Sequence, residues 1–150
     1  MDKIDRAILR LLQRDGRMRA TEIATRVGLS VSSCHRRMKD LEAAGVILGY
    51  RAELSPAELG LTFEAIVFVT IDRTDLGALA EFEAAVERLA NVVEAERLFG
   101  DPDYMLRVRT KSLDSYQVLY DTELAALPGV GRMTSTIVMK RLREGRALPI

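Results

Sequence analysis

The stretch "LFGDPDYMLRV", Leu98 to Val108, sets two carboxylates, Asp101 and Asp103, on either side of a proline and just after a glycine. The runs flanking it read as buried strand. Two chemistries fit. Gly-Asp-Pro-Asp is ordinary hairpin-turn material, and a pair of loop aspartates is also an acceptor set for a ligand bearing an ammonium group. A second constellation follows Ser30. Ser32, Ser33, Arg36, Arg37 and Lys39 combine small hydroxyls with three cations, the groups that meet phosphates and base edges. A solvated helix face with no partner would look the same.

Other reactive side chains are sparse. His35 is the single histidine, at the edge of an apolar series and without Asp, Glu or Cys at metal-ligand spacing. Cys34 falls inside that series and reads as packing rather than as a redox group. There is no Ser/His/Asp arrangement, catalytic carboxylate pair or Gly-rich phosphate loop. The expectation is therefore no enzyme, no cofactor and no metal.

These groups need elements to hold them. With 48% hydrophobic and 29% charged residues, the 150-residue chain has a globular balance and room for one medium domain or two small ones. The charged start Met1-Asp2-Lys3-Ile4-Asp5 is unlike a secretory leader, and no apolar run approaches the roughly 20 residues of a membrane span. A lone cysteine suits a reducing compartment, so a cytoplasmic protein without a membrane partner is expected. The net charge of zero hides a split: residues 1–54 hold 11 Lys/Arg against 7 Asp/Glu, and residues 55–150 hold 11 against 15. A +4 module joined to a −4 module suits a polyanion on one side and something else on the other.

Ile4, Ile8, Leu11 and Leu12 predict a helix over roughly Asp5–Arg14. A second helix carries Ile23, Ala24 and Val27 inward, with Thr21 as its cap candidate and Gly28 as its stop. Ser30 caps a third, running to about Ala44, whose stripe Val31, Cys34, Met38 and Leu41 is inward and whose outer face is centred on Arg36. Two helices joined by a short glycine turn form a helix-turn-helix pattern. Val46–Leu54 reads as a wing or linker. Beyond Ser55-Pro56 the periodicity predicts a strand over Phe63–Ile71, a helix over Leu76–Leu89, strands over Val92–Phe99 and Tyr104–Thr110, a helix over Leu113–Leu127 and a last strand over Met133–Leu142. That β-α-β-β-α-β order is ferredoxin-like. The expected fold class is α+β: a helix-turn-helix, winged-helix-like domain over 1–54, then a ferredoxin-like domain over 55–150. Ile66 and Phe68 point away from the helices, so dimerisation through that sheet face is expected.

The segments "IDRAILRLLQRDGR", "EIATRVGLS", "RRMKDLEAAGVILGY", "GDPDYMLRV" and "LPGVGRMTSTIVM" appear in an order that resembles the Lrp/AsnC family of transcriptional regulators along almost the whole chain. The resemblance implies a sequence-specific regulator binding double-stranded DNA, forming homodimers that assemble further into octamers, and answering a small effector of amino-acid type. Its DNA-contacting positions would be Ser30, Ser32, Ser33, Arg36, Arg37 and Lys39. Its effector loop would comprise Gly100, Asp101, Asp103 and Tyr104, with Thr134, Ser135 and Thr136 on the final strand. Many members carry prolines ahead of the cysteine, where this chain has Ser30-Val31-Ser32-Ser33-Cys34, so no operator sequence transfers. Sirohaem decarboxylases share the architecture but would be expected to need histidines in the second module, which has none. An amino-acid sensor without DNA binding would show a degraded basic face, and here that face is intact.

Overall fold

Two carboxylates start the first helix. The Asp2 side chain accepts the Asp5 N–H and the Asp5 side chain accepts the Asp2 N–H, each at 2.8 Å, a reciprocal capping box. Helix α1 consequently spans Lys3–Arg14, two residues earlier than the apolar spacing suggested. The computed structural model describes residues 1–72, 75–142 and 147–150.

Helix α2 (Ala20–Val27) starts at Arg19 with no side-chain cap, and Thr21, the expected cap, lies inside it. Gly28 closes the helix at φ +71°, a left-handed conformation that costs glycine little. Helix α3 (Val31–Ala43) follows at once, with the Ser30 hydroxyl accepting the Ser33 N–H at 3.2 Å. Ile8, Ile23, Ala24 and Cys34 form the core shared by the three helices. Val31 corrects the expected inward stripe. It is the first residue of α3 and is 48% exposed. Residues 46–54 carry no strand.

The second unit is one antiparallel sheet in the order β2-β3-β1-β4. Its strands are β1 (Phe63–Ile71), β2 (Val92–Arg97), β3 (Tyr104–Thr110) and β4 (Val130–Ile137). Alternation on β1 buries Ala65, Val67, Val69 and Ile71 beneath α4 (Leu76–Val86) and α5 (Leu113–Leu119), together with Leu106, Val108, Phe82 and Leu124. The opposite face carries Glu64, Ile66, Phe68 and Thr70, and among the described residues no helix of this unit covers it. The last strand begins at Val130 and ends at Ile137, because its pairing to β1 runs only from Ile71↔Val130 to Ala65↔Ile137. The span Met133–Leu142 expected for it is thus three residues late and overlong. Helix α5 runs on as a π turn over Tyr120–Leu124, which brings Leu124 into the core, while Leu113, expected inward, is exposed.

The compact units divide after Leu54, but residues Leu142–Ile150 group with the N-terminal unit rather than with the sheet, contrary to a second domain running to 150. The Gln13 side-chain amide explains the difference. It donates to the Leu148 carbonyl at 3.3 Å and accepts the Leu148 N–H, and Arg10 Nε donates to the Ile150 carbonyl.

Candidate functional site

The outer face of α3 is one stripe. Ser32, His35, Arg36 and Lys39, at i, i+3, i+4 and i+7, are all exposed, opposite buried Cys34 and Leu41. Among the described residues Arg36 is held only by an i,i+4 contact to Asp40 at 3.4 Å between two well-exposed side chains, which leaves its guanidinium available. Three expected DNA residues are engaged elsewhere. Arg37 swings back to α1, where it donates to Asp5 at 2.7 Å and to Asp2 at 2.8 Å. The hydrogen bond from the Asp5 backbone N–H, and then that from Arg37, hold the Asp2 carboxyl below its usual range. Ser33 is half-buried, with its hydroxyl 2.8 Å from that of Ser30, so both serines are occupied in closing the helix start. His35, expected at the edge of the buried stripe, is exposed there.

The Gly100–Tyr104 loop lies at the end of β1. The Asp103 N–H donates to the Val69 carbonyl at 3.0 Å, the Leu98 N–H donates to the Asp103 carbonyl at 2.7 Å, and the Asp103 carboxylate accepts the Ile71 N–H at 2.8 Å. Asp103 therefore spends its carboxylate on the loop itself. Asp101 faces outward. It accepts from Thr70 Oγ1 at 3.2 Å and from Arg132 at 3.1 Å, on a cleft of about 220 Å³ lined by Phe68, Thr70, Asp101, Pro102, Arg132 and Thr134. Gly100 has φ +142°, and the Asp101–Pro102 peptide is cis.

The expected effector residues are thus split between the two faces of the sheet. Register pairs Thr134 with Phe68 and Thr136 with Ile66, on the open face. Ser135 alternates to the other face and shares a 2.5 Å hydrogen bond with Tyr116 of α5. Tyr104 also turns to the helices. It is 3% exposed, packs on Phe82 with ring centroids 4.6 Å apart, and donates to Glu83 at 2.7 Å. Burial, and then the hydrogen bond to Glu83, push its hydroxyl up to about 12. Neither Ser135 nor Tyr104 reaches the cleft. Arg132, unremarked in the sequence, does, because it pairs with Thr70 across the β1–β4 ladder.

The cleft offers a cation (Arg132), an anion (Asp101), hydroxyls (Thr70, Thr134) and an aromatic wall (Phe68), a set complementary to a zwitterion with an apolar side chain. Farther along the same face, Glu64 accepts from Arg107 at 2.6 Å and pairs with Arg109 at 2.9 Å and with Arg141. Burial alone would raise the Glu64 carboxyl, but the hydrogen bonds from Arg141 and Arg107 and the charge of Arg109 overcome it and hold it below the ordinary value. Among the described residues no cluster of three His, Cys, Asp or Glu side chains is placed to hold a metal, and no helix is long and apolar enough to cross a membrane.

Comparison with known proteins also finds two regions, the second reaching past the Arg141 limit of the sheet unit. Residues 1–47 match the winged helix-turn-helix DNA-binding family and residues 64–148 the Lrp/AsnC ligand-binding domain. The chain is 37% identical over all 150 residues to the leucine-responsive regulatory protein of Salmonella typhimurium, covering 92% of that protein. It superposes on a transcriptional regulator of Neisseria meningitidis solved with L-Met at a TM-score of 0.93, with 34% identity over 99% of this chain and 96% of the other. An AsnC-family regulator from Agrobacterium tumefaciens gives 0.92, at 32% identity and 99% and 97% coverage. A DNA-binding helix-turn-helix unit, a ferredoxin-like ligand-binding unit and relatives matched end to end establish that this chain belongs to the Lrp/AsnC family of transcriptional regulators.

Proposed function

We propose that the protein is a sequence-specific regulator whose α3 stripe reads operator DNA and whose Asp101–Arg132 cleft takes an amino-acid effector. The observation that carries this reading is the exposed series Ser32, Arg36 and Lys39 on a helix N-capped by Ser30, directly after the Gly28 turn. Ser30 acts through the cap and Arg37 through its hold on α1, and base and phosphate contacts fall to Ser32, Arg36 and Lys39. In the cleft, Arg132 takes the α-carboxylate, Asp101 the ammonium and Phe68 the side chain. The L-Met bound in the Neisseria relative supports a zwitterion of this size. Gly100 gives the loop its path, Asp103 fastens it, and Thr136 continues the open face beyond Thr134.

The chain works in the cytoplasm without catalysing a reaction. It pairs with a second copy through the sheet face that carries Ile66 and Phe68, and larger assemblies up to an octamer build on that pair. Two α3 helices about one DNA turn apart (roughly 34 Å) then read a pseudo-palindrome. The experiment is fluorescence anisotropy on the DNA flanking its own gene, with and without each amino acid. A salt-sensitive, competitor-resistant complex altered by at least one amino acid is expected. Binding equally tight to random duplex, or indifferent to all twenty amino acids, would overturn the corresponding half of the reading.

A further inference from the structure

The α3 stripe contains one side chain that the DNA-reading residues so far named leave unused. His35 is exposed at the edge of the stripe, next to Lys39 in angle around the helix and one residue before Arg36. It is the only histidine in the chain.

We infer that His35 is a DNA-contacting residue whose charge state makes operator affinity depend on pH near neutrality. The inference rests on the proposed DNA-reading role of α3 and extends it to a specific chemistry. DNA presents acceptors to this face, phosphate oxygens and the O6 and N7 of guanine. A neutral imidazole offers one donor and one acceptor, whereas the imidazolium offers two donors and a positive charge. Imidazole is the side chain that changes charge between about pH 5 and 8. Binding to a polyanion therefore favours the protonated form, and affinity rises as pH falls.

The surroundings leave the histidine to the DNA. Among the described residues none hydrogen-bonds or ion-pairs with it. The charged groups nearest on its own helix are Arg36, Lys39 and Asp40, and Asp40 is engaged with Arg36. From the elements packed behind α3, Asp2 and Asp5 of α1 are engaged with Arg37, and Glu22 and Arg26 of α2 with each other at 2.7 Å. The acceptor that a protonated His35 meets on this face is therefore the nucleic acid.

The test is anisotropy of the full chain on a duplex recovered by site selection from a random pool, at pH 7.8 and pH 5.8, for wild type, H35Q and H35R. Wild type is expected to bind about five- to tenfold more tightly at the lower pH. H35Q should bind equally at both within twofold, and H35R should bind as tightly at both as wild type does at pH 5.8. Salt titrations separate the two acceptors. A phosphate contact steepens the wild-type slope of log K on log salt by about 0.9 at pH 5.8, and a guanine contact leaves the slope nearly unchanged. Thermal melts at both pH values control for folding. A pH response retained in H35Q, or absent in a wild type that binds the duplex, overturns the inference alone. A wild type that selects no duplex overturns the DNA-reading role and the inference with it.

Discussion

Arg37 on α3 donates to Asp5 of α1 at 2.7 Å, so a cation of the recognition helix serves the packing of the unit instead of its outer surface. Arg36, its neighbour, stays exposed with only a long contact to Asp40 among the described residues. The two arginines should separate in experiment. Arg36→Ala is expected to weaken operator binding by about 1–3 kcal/mol with an unchanged thermal midpoint. Arg37→Ala should lower the thermal midpoint of the N-terminal unit first, with any loss of DNA affinity following from that. Differential scanning calorimetry beside anisotropy checks both. An Arg37→Ala variant that melts as wild type does and binds DNA poorly would return Arg37 to the interface.

Ser135 and Thr134 are adjacent in sequence and lie on opposite faces of β4. Ser135→Ala removes the partner of a largely buried Tyr116 hydroxyl and should cost about 1 kcal/mol of stability while leaving effector binding as it was. Thr134→Val should do the reverse. Isothermal titration with the amino acid that shifts the melting curve, set against urea unfolding of each variant, reads the two effects separately.

Within the cleft, Arg132 and Asp101 should be the most sensitive pair. Arg132→Gln is expected to weaken amino-acid binding at least tenfold, and Asp101→Asn to do likewise through the ammonium. Asp103→Asn keeps an acceptor for the Ile71 N–H, so it should bind ligand nearly as wild type does. Equal losses in all three would mean that the loop acts as one structural unit and not through Asp101.

The Glu64 cluster sets an acid limit on stability. A carboxyl held below its unfolded value contributes fully above about pH 4.3, and the contribution is lost as pH falls through the folded value. Wild type should therefore lose stability below that pH, and Glu64→Gln should show a flatter response there by circular dichroism. At pH 7, Glu64→Ala leaves Arg107, Arg109 and Arg141 without their shared anion. It should cost about 3 kcal/mol, the lower end of the cost of breaking a buried pair, since the guanidiniums keep some solvent.

Much of this was legible from period alone. The buried alternation of Ala65, Val67, Val69 and Ile71, the Ser30 cap and the Gly28 stop depend on local rules and came out where those rules placed them. The failures have two causes. Arg37 turning inward and the tail bound by Gln13 depend on partners distant in sequence, which no local period encodes, whereas the Asp2–Asp5 capping box is a local signal that apolar spacing does not read. The cleft shows both cases. Thr134 and Ser135 could have been assigned to opposite faces from strand alternation, whereas Arg132 became visible only through its register opposite Thr70.

The tail held by Arg10 and Gln13 makes the helical unit discontinuous in the chain, with the whole of the sheet unit, Ser55–Arg141, spliced between its two parts. A folded insert holds its own ends at a fixed separation, whereas an unfolded one must be closed as a long loop at an entropic cost. The docked tail should thus tie the two melting transitions together. A fragment cut at Leu54 would lack part of its own fold, and its stability would understate that of the same helices in the intact protein.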